Sequence, residues 1–247
     1  KLITTGSIDP YETKWGRKET KYLKQKLMYP IVEKKDFEKL FPKRYNQQNC
    51  KKILISGIRN FEAFFDENKM CLSSKSTIII KTIKKTNGFY LTSILNSILI
   101  SFYIKETYSS LGIDGGINFS VDMIDNIPLK MESAYIKVLS FLSMINHTTK
   151  EKKRKIPCFE FVNDSAVFNL YFPDHMKTKN IDVIDYIEQD IQKVMQGKNF
   201  EDLSDTDKQT VIAQLQKEWT DPNNEVVKRM AQFKTKSPDI LKPILES

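Results

Sequence analysis

The side chains in this chain that could do chemistry are cations and amides gathered in its first half. Lys14, Arg17, Lys18, Lys21, Lys24 and Lys26 are interleaved with Trp15, Tyr22 and Tyr29, and a second basic group comprises Lys51, Lys52, Lys84 and Lys85. Flexible ammonium groups at this density suit a phosphate backbone, which attracts Lys and Arg whatever the base sequence. Arg59 and Asn60 follow a strand-like stretch at Gly57, and Asn118 follows Gly115-Gly116, so turns would project all three outward. Arginine pairs bidentately with guanine and asparagine with adenine. Closing the turns is the plainer role open to Asn60 and Asn118.

Convergent reactive groups are harder to find. His147 and His175 suit capping or surface positions better than catalysis. The chain has no G-x-S-x-G elbow and no phosphate-binding G-x-x-x-x-G-K-S/T loop, and Gly112–Gly116 does not lie between a strand and a helix as a dinucleotide fingerprint must. Glu33-Lys-Lys35 and Glu151-Lys-Lys153 match the Glu-x-Lys half of a metal-dependent nuclease, but Glu151 sits in a charge run and Glu33 lacks a partner carboxylate. Cys50, Cys71 and Cys158 are an odd set without C-x-x-C spacing, which speaks against a disulfide framework or zinc knuckle and for a reducing cytoplasm. No catalytic residue and no metal site are expected.

The charge is unevenly spread. Residues 1–130 carry 22 Lys+Arg against 13 Asp+Glu, a net of +9, whereas residues 131–247 carry 17 against 18, a net of −1. A basic field confined to one region suggests a polyanion partner, since solubility alone does not need the asymmetry; a merely soluble basic surface is the plainer alternative. With 247 residues the chain can bury a sizeable core. Its longest apolar stretch, Phe89–Ile104, would be about 24 Å long as a helix and is interrupted by Thr92, Ser93, Asn96, Ser97 and Ser101. That is too short and too polar for a membrane span. No secretory signal or initiator Met opens the chain, so it is expected to be a fragment of a longer protein.

Two regions must position these groups. The pattern predicts an α+β fold for residues 1–130, a sheet with packed helices, and an almost wholly helical region for 131–247. After an opening strand and turn, Pro30 should end any helix in the basic stretch. Segments 51–57 and 76–83 are β-branched and short, and read as neighbouring strands. Asn87-Gly88 then turns into a helix over 90–106, with Ser93, Ser97 and Ser101 as a small-residue strip. Residues 117–120 read as a strand and Ile124–Pro128 as an extended exit. Helices are expected at Met131–His147, at Phe159–Phe172 and around Ile184, Ile187, Ile191 and Val194, with the charge run 150–155 as a linker. Ser204, Asp221 and Ser237 read as caps of three more.

Several segments stand in a specific order. Thr5-Gly-Ser-Ile-Asp-Pro-Tyr11 is followed by Trp15-Gly16 and Lys21-Tyr22, then by Lys52-Ile-Leu-Ile-Ser-Gly57 and Leu91-Thr-Ser-Ile-Leu-Asn-Ser-Ile-Leu-Ile-Ser-Phe-Tyr103. Gly115-Gly116, Phe119, Ile124-Asp-Asn-Ile-Pro-Leu129 and Val167-Phe-Asn-Leu-Tyr-Phe-Pro173 complete the series. This succession resembles the target recognition domain at the carboxyl end of type IIG restriction-modification enzymes and related N6-adenine DNA methyltransferases. The resemblance covers residues 1–173 and implies a domain that docks on double-stranded DNA and reads its sequence in a bacterial cytoplasm. It further implies that a separate amino-terminal methyltransferase domain of the same polypeptide binds S-adenosylmethionine and methylates adenine. Asp221-Pro-Asn-Asn224 lacks the second proline and the aromatic of that domain's adenine clamp, so no cofactor is expected in this segment. On this reading Lys14, Arg17, Lys18, Lys21, Lys51, Lys52, Lys84 and Lys85 grip backbone, while Arg59, Asn60 and Asn118 inspect bases. An RNA- or single-strand-binding protein would share the basic, aromatic surface and remains the alternative.

Overall fold

A computed structural model of the chain describes residues 1–74, 77–82, 87–108, 112–113, 116–151 and 156–247, with main chain only at 59, 112, 113, 116, 117 and 151. Lys84, Lys85, Gly115 and most of the 150–155 charge run lie outside the described residues. The chain divides into two compact units, one of residues 1–96 and 103–128, the other of 97–102 and 129–247. In chain order the elements up to Asp125 are β1 (Leu2–Ile3), β2 (Ile8–Asp9), β3 (Glu12–Thr13), β4 (Thr20–Tyr22), β5 (Gln25–Leu27), α1 (Lys34–Leu40), α2 (Pro42–Gln48), β6 (Lys52–Ser56), β7 (Ile58–Arg59), β8 (Ala63–Asp66), β9 (Leu72–Ser73), β10 (Thr77–Lys81), α3 (Gly88–Leu95), α4 (Ile98–Tyr108), β11 (Gly112–Ile113), β12 (Gly116–Asn118) and α5 (Val121–Asp125).

The centre of the first unit is the antiparallel sheet β10-β6-β8. Strand β6 is its middle strand, and the fully buried run Ile53-Leu54-Ile55 shows why the sequence there is continuously apolar: both faces are covered. Register places Ile79, Leu54 and Phe64 side by side, and they pack with Ile3, Ile8, Cys71 and Trp15. Burial, then the neighbouring Asp66 charge, push the Cys71 thiol up to about 12, so it is an inert core residue. The expected strands 51–57 and 76–83 are thus β6 and β10, paired as neighbours.

Helix α3 covers the other face. Its N-terminus is capped by Asn87, whose Oδ1 accepts the Tyr90 N–H at 3.1 Å. Phe65 from β8 lies edge-on to Phe89 with ring centroids 5.0 Å apart. A Cβ on Gly88 would fall 2.2 Å from the Phe65 ring, so only glycine fits at this approach. Gly88→Ala is expected to cost about 1–3 kcal/mol by overpacking; a urea midpoint equal to that of the parent chain would show that the ring can yield.

The single helix expected over 90–106 is two helices. Asn96 ends α3 by turning its amide onto β8: Oδ1 accepts the Ala63 N–H at 2.9 Å and Nδ2 donates to the Ala63 carbonyl at 2.8 Å. Periodicity continues across this break because the apolar spacing does, while the side-chain bond to a distant strand decides the backbone. Ile124 lies in a short helix rather than an extended exit, since the Ser120 hydroxyl accepts the Met123 N–H at 3.3 Å and caps α5.

The second unit is helical among its described residues: α6 (Ser133–Glu151), α7 (Pro157–Tyr171), α8 (Pro173–Thr178), α9 (Ile184–Met195), α10 (Asp205–Glu218), α11 (Glu225–Met230), α12 (Phe233–Lys236) and α13 (Leu241–Leu245). Helix α7 is its core, with Phe159, Val162, Val167, Phe168 and Leu170 buried. Lys150 belongs to α6 and pairs with Glu160 at 2.7 Å, so the helix runs into the expected linker. Ser204 caps α10 as expected, accepting the Asp207 N–H at 3.1 Å. Asp221 does not cap a helix; it closes a turn onto Asn223, and Asn224 caps α11 instead. The Ser237 hydroxyl accepts the Leu241 N–H at 3.1 Å, but helix begins only at Leu241. No helix among the described residues is long and apolar enough to cross a membrane.

Asp164 on α7 accepts the Ile98 N–H at 2.9 Å and borders a cleft of about 280 Å³ lined also by Phe161, Phe168, Phe233 and Lys234. Burial pushes its pKa up to about 7 from a usual value of 3.8, against the Ile98 hydrogen bond, which lowers it. Because the folded state holds this proton more tightly than the unfolded chain, stability falls as pH rises from about 4 to 7 and levels above. Asp164→Asn is expected to flatten that slope, measured as thermal midpoints between pH 4 and 8; an unaltered slope would place Asp164 in an ordinary aqueous setting.

Candidate nucleic-acid interface

The second half of the dense basic stretch is a β-hairpin. Strands β4 and β5 pair antiparallel, with Thr20 opposite Leu27, Lys21 opposite Lys26 and Tyr22 opposite Gln25. Leu23 and Lys24 close it with φ of 48° and 66°, both in the left-handed region, as a two-residue type I′ turn requires. The base is well anchored. Thr20 is buried, its hydroxyl bonded to that of Thr4, and the Trp15 Nε1–H donates to the Pro30 carbonyl at 2.8 Å. Gly16, at φ 75°, lets the Tyr29 ring approach to where a Cβ would stand 2.7 Å away.

Lys18, Lys21, Lys24 and Lys26 are exposed, and among the described residues none of them pairs with a carboxylate. Lys21 directly opposite Lys26 is a like-charge pair, which weakens a hairpin. The arrangement is unfavourable to the isolated fold and favourable to any phosphate that neutralises it.

A second group comes together by strand pairing. Strand β7 pairs with β12 in the sheet β11-β12-β7, with Ile117 opposite Arg59 and Asn118 opposite Ile58. Arg59, Asn60 and Asn118, read from the sequence as separate candidates, are therefore brought close along paired strands, Arg59 on β7 and Asn118 on the central strand β12, but Arg59 and Asn118 hold alternate positions of the ladder and do not share a sheet face. Asn60 and Asn118 are exposed. Next to them in sequence, Phe61 and Phe119 meet edge-on at 5.4 Å, and the Phe119 N–H bonds the Gly57 carbonyl at 2.9 Å. Gly57 itself donates its N–H to the Thr5 hydroxyl at 3.0 Å, tying the turn to the opening Thr-Gly-Ser segment.

The other expected backbone-gripping cations differ in kind. Lys52 is a correction. It is fully buried, its Nζ 2.6 Å from Asp66 Oδ2 and 2.7 Å from the Gln48 carbonyl, so it cannot reach a phosphate. Lys14 pairs with Asp9 at 2.5 Å, Arg17 with Glu12, and Lys51 with Glu67 at 2.9 Å. Such surface pairs are worth about 0–1 kcal/mol, so a phosphate can compete for these cations only at that cost. Lys24 and Lys26, noticed in the sequence only as part of a basic run, stand on the hairpin as openly as Lys21, and Lys18 is exposed just before it. Their signal was positional: the alternation of Lys21, Gln25 and apolar neighbours around a two-residue turn that lacks Asn or Gly.

Among the described residues no group of three or more His, Cys, Asp or Glu gathers to hold a metal. His175 bonds the Ser237 hydroxyl through Nε2 at 2.8 Å, a structural contact within the helical unit. No curated protein matches the chain as a relative. The basic hairpin and the paired strands that carry Arg59 and Asn118 fall within residues 1–129, which match the model of the TaqI-like C-terminal specificity domain over just more than half of the chain, and the chain belongs to that family.

Proposed function

We propose that the chain reads double-stranded DNA as the target recognition part of a type IIG, N6-adenine DNA methyltransferase of a restriction-modification system. One observation carries this: the family match over residues 1–129 coincides with the region that holds all of the chain's excess positive charge, +9 against −1 for the remainder. Backbone neutralisation falls to Lys18, Lys21, Lys24 and Lys26, with Lys14, Arg17 and Lys51 released from their carboxylates on docking. Arg59, Asn60 and Asn118 are of the types that read guanine and adenine in the major groove. Methyl transfer and S-adenosylmethionine belong to a methyltransferase domain of the same polypeptide, working in the cytoplasm.

The test is binding of the 247-residue chain to duplex and single-stranded oligonucleotides of one sequence pool across a salt series. Duplex should be preferred, and if about six to ten phosphates are covered, affinity should drop on the order of a thousandfold or more between roughly 50 and 200 mM salt. Preference for the single strand would select the RNA- or single-strand-binding alternative. Transfer of a labelled methyl group by this chain alone would overturn the division of labour.

A further inference from the structure

Leu23 is 80% exposed at the tip of the β4–β5 hairpin and holds a left-handed backbone conformation, φ 48°. Both features run against the fold. Type I′ turns favour Asn and Gly because a Cβ is strained at positive φ, and a solvated leucine contributes nothing to a core. The hairpin's base is held by Thr20 and by the loop from Trp15 to Pro30, so its tip is presented by a fixed scaffold. Lys24 is beside it in the turn, Lys21 and Lys26 oppose each other on the strands and Lys18 precedes β4; all four are exposed, and within residues 18–26 the one carboxylate is that of Glu19. An apolar point flanked by cations is complementary to the two parts of a nucleic-acid duplex, its stacked base pairs and its phosphates.

We propose that this hairpin is a wedge: Leu23 presses between adjacent base pairs of duplex DNA while the surrounding lysines hold the flanking phosphates. The inference rests on the duplex-binding reading above and adds to it a local unstacking at one base step. Inserted apolar side chains do this in other DNA-binding proteins, kinking the duplex and bringing more of it against the protein. A leucine also fits where a base-reading side chain would not, since it offers no hydrogen bonds and selects a step by how easily it unstacks.

The experiment uses the 247-residue chain and its Leu23→Gly, Leu23→Asn and Leu23→Met variants. Duplexes enriched by the parent chain from a randomised pool are relabelled with 2-aminopurine at successive adenines, and fluorescence and affinity are read together. The parent chain and Leu23→Met should brighten the probe at one step. Leu23→Gly and Leu23→Asn should abolish that signal and weaken binding about tenfold or more, the scale set by burial of a leucine side chain. Their thermal midpoints should equal or exceed the parent's, because glycine and asparagine relax the turn. If the parent enriches duplex but the Gly and Asn variants match it in affinity and probe signal, the wedge is wrong and the duplex reading stands. If the parent enriches no duplex, both fail. A lowered midpoint in both variants would show that Leu23 packs within the fold, and would also overturn the proposal.

Discussion

Asp66→Ala should destabilise the chain by about 3–5 kcal/mol, the cost of leaving one member of a buried ion pair uncompensated. Lys52 and Asp66 are directly opposed across β6 and β8, on the same sheet face as Leu54 and Phe64. Both are buried, and every charge has partners: Lys52 donates to Asp66 and to the Gln48 carbonyl, while Asp66 accepts the Met70 and Cys71 N–H groups at 3.0 Å each. Removing the carboxylate strands an ammonium in the core and frees two backbone donors. Lys52→Met combined with Asp66→Leu should recover much of the loss, because a matched apolar pair has no charge to solvate. Urea unfolding measures both. An unchanged midpoint in Asp66→Ala, together with strengthened duplex binding from the freed ammonium, would restore Lys52 to the surface role that its sequence context suggested.

Exchanging Lys18, Lys21, Lys24 and Lys26 together for glutamine should produce the largest change in nucleic-acid binding. Each phosphate contact contributes about 0.9 to the slope of log affinity against log salt, so four lost contacts should lower that slope by roughly 3–4. At low salt the affinity loss would be about a hundredfold or more. Folding should not suffer, since the exchange removes the like-charge opposition of Lys21 and Lys26. By contrast, glutamine at Lys14, Arg17 and Lys51 should lower the slope less, because those cations already face Asp9, Glu12 and Glu67. Titration across a salt series distinguishes the two sets. An equal slope for the hairpin variant and the parent would mean that another surface holds the phosphates.

Features decided over a few consecutive residues were legible in the sequence. The apolar run of β6 and the β-branched run of β10 announce buried strands, Asn87-Gly88 announces the change to helix, and Ser204 announces its helix start, because each rests on side-chain periodicity or on a local cap. The ordered motifs from Thr5 to Leu129 were sufficient to place the family, and the charge split located its basic half. What each cation does was another matter. Lys51 and Lys52 are identical neighbours in sequence, yet one is half exposed beside Glu67 and the other is sealed against Asp66. A lysine's availability depends on which strand lies opposite it, and that register joins residues 14 positions apart. The hairpin was hidden for a similar reason: Leu23-Lys24 carries no turn signature, and its positive φ values are imposed by the pairing of β4 with β5. Only tertiary structure brings Arg59 and Asn118 onto paired strands, because backbone hydrogen bonds between β7 and β12 span a separation that no local pattern reports.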